Sequence, residues 1–132
     1  MMARPGPGAA PVEVLEHELW LLLGPRSKAV GVERFRRLVR LTVRHWPIET
    51  LERIRRANLW PGVERKRAGR ILVARVREAY EAADGVTPAW PIILEGTVGL
   101  LWVALCDRHA RDPEFRSRVS DLSRWVARNG IG

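Results

Sequence analysis

A chain of 132 residues with 46% hydrophobic and 29% charged residues has the composition of a folded domain rather than a disordered tail, and it is long enough to bury a core. Its single cysteine excludes an internal disulfide framework. The formal charge of +8, with a pI of about 11.2, selects polyanions as partners, meaning nucleic acid or an acidic membrane surface.

Residues 1–11 are rich in Pro, Gly and Ala and carry no signal-peptide pattern, so they read as a disordered lead-in to one helical domain over residues 12–132. The first helix runs from about Val12 to Leu23. Val14, Leu15, Leu19, Leu22 and Leu23 form its apolar face, and Glu13, Glu16 and Glu18 lie toward its N-terminal end, where they favour the dipole. Gly24-Pro25 reads as helix exit and breaker. A second helix, from about Val32 to Trp46, ends before Pro47, with Val32, Phe35, Leu38, Val39, Val43 and Trp46 on one stripe. Its other faces carry Arg34, Arg36, Arg37, Arg40 and Arg44. Of these, Arg37, Arg40 and Arg44 follow i, i+3, i+7 and make a ladder along one side.

A short third helix covers about Ile48 to Leu59, with Leu51 and Ile54 inward and Arg53, Arg55 and Arg56 outward, before the break at Trp60-Pro61-Gly62. The fourth, about Val63 to Asp84, has an apolar seam of Ala68, Ile71, Leu72, Val76, Ala79, Tyr80 and Ala83. Its first turns carry Arg65, Lys66, Arg67 and Arg70, and Gly85 closes it. Thr87 with Pro88 then signals a fifth helix that runs to about His109 and is apolar nearly all round. Asp112-Pro113-Glu114 repeats the cap signal for a last helix to about Asn129, stopped by Gly130, with Phe115, Val119, Leu122, Trp125 and Val126 inward. No stretch alternates at period two. The expected fold is all-α: a single-domain helical bundle of five to six helices around a central apolar helix.

That apolar helix is weighed as core and as membrane span. The uninterrupted stretch after Glu95 is only Gly96 to Cys106, shorter than the roughly 20 residues a span needs, so core is favoured. Glu95 then calls for an arginine partner if buried, and Gly96 and Gly99 suit close approach of another backbone. Cys106 reads as a buried small hydrophobe in a reducing, cytoplasmic setting.

Chemistry is scarce. His17, His45 and His109 lie far apart without metal-ligand spacing, each reading as a helix-end surface residue. No nucleophile–base arrangement or phosphate-cradling glycine loop is legible. The expectation is a protein that is not an enzyme and needs neither metal nor cofactor. The charge is what remains. Residues Arg26 to Arg77 hold sixteen Lys or Arg against four Glu, whereas the other segments together hold seven against eleven acids. Arg34, Arg37, Arg40, Arg44, Arg53, Arg56, Arg65, Lys66, Arg67 and Arg70 are the candidate contacts to a phosphate backbone of RNA or single-stranded DNA. Trp46, Trp60 and Trp90 stand at helix ends beside prolines, placed either to stack on bases or to close the core. Asn58 and Asn129 are the only asparagines and glutamine is absent, which favours backbone contact over base readout.

Arg67-Ala68, Pro91-Ile92-Ile93, Gly99-Leu100 and Val103-Ala104-Leu105 together resemble the small α-helical subunits of multisubunit CRISPR effector complexes, especially the type III Cmr small subunit. The Gly-Leu pair is displaced by about one residue, and Leu105 stands where an aromatic is usual. The resemblance covers about forty residues. It implies a non-catalytic subunit that stacks with other protein subunits, including copies of itself, and offers basic surface to guide RNA or target strand. Three alternatives stand beside it: a helix-turn-helix DNA-binding protein using Leu51 to Leu72, a short-span membrane or phage lysis-type protein using Trp90 to Cys106, and an interaction module whose arginines meet an acidic protein.

Overall fold

Gly24 adopts φ +55, a conformation that suits a residue without a side chain, and its N–H closes the first helix on the Trp20 carbonyl. Pro25 follows, and instead of only ending the helix it opens another, because a proline at the first helical position has the right φ and needs no N–H there. This extra helix is why the chain has seven helices among its described residues where five to six were expected. The structure, a computed structural model, describes residues 2–56, 62–83 and 92–130. The helices are α1 (Pro11–Leu23), α2 (Pro25–Val30), α3 (Val32–His45), α4 (Ile48–Arg56), α5 (Gly62–Ala83), α6 (Ile92–Arg111) and α7 (Pro113–Asn129), and no strand occurs among those residues. The fold is an all-α helical bundle.

Local signals place most of the boundaries. Trp46, held extended by the following proline, ends α3. Asp112 caps α7 as its spacing predicts, its carboxylate accepting from the N–H groups of Glu114 at 3.0 Å and Phe115 at 3.2 Å. Gly130 stops the same helix. Leu59, Asp84, Gly85, Thr87, Pro88 and Pro91, with Trp60 and Trp90, lie outside the described residues. The segment expected as a lead-in carries no helix up to Ala10, and its Met2 side chain is buried against the core.

α6 is the central element and packs against each of the other six helices. Leu94, Val98, Leu101, Trp102, Leu105 and Cys106 are buried on it, while Ile92, Leu100 and Val103 remain exposed, so it is covered on most sides but not all. Glu95 is also exposed and has no burial to offset. No helix among the described residues is long and apolar enough to cross a membrane. Burial pushes the Cys106 thiol up to about 12, in keeping with its expected place in the core.

The close helix approach is at Gly69, not at the expected Gly96 or Gly99. A Cβ on Gly69 would stand 2.8 Å from Trp102 Cδ1, whereas one on Gly99 would meet nothing within 4 Å and one on Gly96 only an Arg26 side-chain nitrogen. The indole of Trp102 lies across α5 there, its Nε1 donating to the Arg65 carbonyl at 2.9 Å. On the other side of the core Trp20 meets Phe35 edge to face, with centroids 5.2 Å apart.

Candidate nucleic-acid interface

The stripe of α3 predicted to face inward does so: Phe35, Leu38, Val39, Val43 and Trp46 are buried. With that face fixed, the arginines of α3 turn to the flanks. Arg34, Arg36, Arg37, Arg40 and Arg44 line one open groove of about 620 Å³, together with Glu33, Leu41 and Tyr80 of α5. The ladder Arg37, Arg40, Arg44 and its neighbour Arg34 are therefore brought together.

Two of these side chains are anchored from below by α1. Arg40 Nε donates to Glu16 Oε1 at 2.7 Å, and Arg36 Nε stands 3.7 Å from Glu16 Oε2. The Glu16 side chain is only 3% exposed, against 38% for Arg40 and 42% for Arg36. Arg40 is hydrogen-bonded to the carboxylate by its Nε, whereas Arg36 Nε is buried without a hydrogen-bond partner and stands only in ion-pair range; both side chains keep solvent access. Glu16 does not serve the α1 N-terminus, as its position suggested. It completes the buried stripe Val12, Leu15, Glu16, Leu19, Trp20, whose spacing i, i+3, i+4, i+7, i+8 is that of a core-facing helix.

Arg37 turns the other way. Its guanidinium carbon lies 4.3 Å from the centroid of the Tyr80 ring, and Nη2 donates to the Tyr80 carbonyl at 3.4 Å. Among the described residues lining the groove, arginines outnumber carboxylates. The field extends to the end of α3: the His45 imidazole is held below its ordinary range, first by burial and then by the charges of Arg44 and Arg75.

The remaining candidates do not join this groove. Arg53 binds Glu64 at 3.1 Å and the Thr50 hydroxyl at 3.1 Å, tying α4 to the start of α5. Arg56 lies 4.0 Å from Glu52, which Arg55 holds more closely at 2.9 Å. The basic start of α5 is divided. Lys66 and Arg70 line a cleft against α6 with Arg77, Glu78, Glu81 and Glu95, where both signs of charge meet. Arg65 faces a shallow apolar groove with Leu22, Leu100, Val103 and Asp107, and Arg67 is exposed. Among the described residues the basic candidates thus divide into one groove on α3, ion-paired arginines on α4 and a start of α5 split between two clefts, because α4 and α5 turn about their own buried stripes.

Sequence reasoning left Arg36, Tyr80 and Glu16 out of the site. Arg36 was signalled by its i, i+4 relation to Arg40, and Glu16 by its place in the stripe of α1. Nothing local marked Tyr80, since the α3–α5 pairing spans more than forty residues. His109 also departs from its expected surface position. It is 2% exposed, its Nε2 lies 3.2 Å from Glu52 Oε1, and its Nδ1 has no partner. Burial holds its pKa below the ordinary range, against the opposing pull of Glu52. Trp46 is 8% exposed and closes the core, so it presents no face to a base.

Among the described residues no group of His, Cys, Asp or Glu is placed to hold a metal ion. Compared with models of protein families, with curated proteins and with solved structures, the chain matches none.

Proposed function

We propose that this chain is a non-catalytic helical protein that binds the sugar–phosphate backbone of a nucleic acid in the α3 groove, as a subunit of a larger ribonucleoprotein assembly. The observation that carries the reading is the gathering of five arginines in one open groove. A guanidinium is permanently charged, weakly hydrated for a cation and shaped to meet phosphate oxygens in pairs, so five together favour a phosphate chain over a single carboxylate. Near-absence of Asn and Gln argues for backbone contact: Asn129 is spent on the Trp125 carbonyl of its own helix.

Membership of an assembly has separate support. Leu22, Leu100 and Val103 are exposed in one shallow groove with Leu23 and Ala104, and contiguous apolar surface of this kind marks protein contact. Leu100 and Val103 belong to the stretch that resembles CRISPR small subunits, and an effector complex of that type is the assembly we propose.

The test is a fluorescence-anisotropy titration of the purified chain with labelled single-stranded RNA, single-stranded DNA and duplex DNA at two salt concentrations. Binding that weakens steeply with salt is expected. No salt-dependent binding to any of the three overturns the reading, and a sequence-dependent preference for duplex replaces it with the helix-turn-helix one.

A further inference from the structure

The groove holds one plane among its charges. Arg37 lies on the Tyr80 ring with 4.3 Å between guanidinium carbon and centroid, and its Nη2 is tied to the Tyr80 carbonyl at 3.4 Å. Tyr80 is 7% exposed, so its ring backs the guanidinium rather than offering a face of its own. Leu41, one turn after Arg37 on α3, lines the same groove. Arg34, Arg40 and Arg44 flank this small apolar floor along about 15 Å of helix.

We propose that Arg37, backed by Tyr80, is a stacking platform for one unpaired base, so that the groove takes single-stranded nucleic acid in preference to duplex. This rests on the reading of the groove as a phosphate-binding site and adds a base to it. Two physical points support it. A planar guanidinium stacks on aromatic rings and on bases alike, and one fixed from behind by a ring and a carbonyl has already lost the freedom that stacking would cost. In contrast, Arg34 and Arg44 are exposed side chains suited to phosphate. The apolar side chain of Leu41 beside the platform adds nothing to phosphate binding, but it favours a base face. In a duplex both faces of each base are covered by its neighbours, so the platform has nothing to receive. Stacking of this type is tolerant of sequence, which agrees with the scarcity of residues suited to base edges.

The experiment compares three labelled ligands at one salt concentration by anisotropy: a single-stranded DNA oligonucleotide, a strand of equal length made of stable abasic sites, and the corresponding duplex. The wild-type chain is expected to bind the base-bearing strand about tenfold more tightly than the abasic one. Arg37→Lys, which keeps the charge and loses the plane, should erase that difference by weakening only the base-bearing strand. Equal wild-type affinity for the two strands, or duplex binding as tight as single strand, overturns the platform and leaves the phosphate reading standing. No salt-dependent binding to any ligand overturns both. The strand comparison uses the unaltered protein, so it decides the matter even where Arg37→Lys disturbs packing.

Discussion

Arg40 Nε donates to Glu16 Oε1 across 2.7 Å, joining the arginine ladder of α3 to the buried stripe of α1. One carboxylate faces two guanidiniums there, so its removal leaves two positive charges side by side over the core. Glu16→Gln keeps the shape and removes the counter-charge. Because both arginines stay more than a third exposed, solvent softens the loss, and destabilisation of about 1–2 kcal/mol is expected in urea denaturation. Unchanged stability would show the pair to be incidental. The same geometry makes Arg40→Glu a poor probe of binding, since it sets a second carboxylate against Glu16.

Gly69 carries the second prediction. An added methyl at 2.8 Å from the Trp102 ring forces that buried indole, or α5 itself, to move. Alanine gains up to about 1 kcal/mol over glycine in an exposed helix, but overpacking costs about 1–3 kcal/mol, so Gly69→Ala should destabilise. Trp102→Phe should also destabilise, through lost area and the lost bond to the Arg65 carbonyl. The pair should then be less harmful together than the sum of the two, because the smaller ring makes room for the methyl. Strict additivity in thermal unfolding would count against the contact.

A third prediction concerns acid. His109 and His45 are both held below the ordinary imidazole value of 6.5, and Glu52 below its ordinary 4.5, chiefly by its hydrogen bond from Arg55. The unfolded chain therefore takes up protons before the folded one as pH falls. Stability should be flat between about pH 7 and pH 8, fall above that as the unfolded Cys106 thiol gives up its proton before the buried one, and decline from about pH 6.5 downward by at most about 1.4 kcal/mol per pH unit for each histidine. A further loss follows as pH falls through the usual carboxylate range and Glu52 is protonated. Urea midpoints across a pH series measure this. His109→Gln should remove part of the first decline and leave the second, and a wild-type profile without any decline near pH 6 would contradict the burial of these rings.

Much of this architecture was readable in the chain because helical stripes and caps are local. The inward face of α3, the Asp112 cap and the Gly130 stop follow from residues within a few positions of one another. What escaped was set by partners distant in sequence. Glu16 looked like a helix-start acid until Arg36 and Arg40, one α3 turn apart, met it from another helix. Tyr80 looked like one more seam residue until Arg37 was laid on it. The basic start of α5 looked continuous with the ladder, yet its turns face a mixed-charge cleft and an apolar groove. Charge runs along a sequence do not tell which residues share a face when the helices between them rotate. Pro25 is the local failure: the same residue ends one helix and starts the next, and only Gly24 between them decides which.

The central claim is that the α3 groove binds a phosphate backbone, and Arg34 with Arg44 tests it most directly because both are exposed in the groove and neither touches Glu16. The measurement is the slope of log affinity against log salt concentration for a labelled single strand, taken on the wild type and on the double variant Arg34→Ala, Arg44→Ala. Loss of two phosphate contacts should flatten the slope by about 1.4, with the circular dichroism spectrum still that of a folded helical chain. An unchanged slope and affinity in a folded double variant would contradict the account.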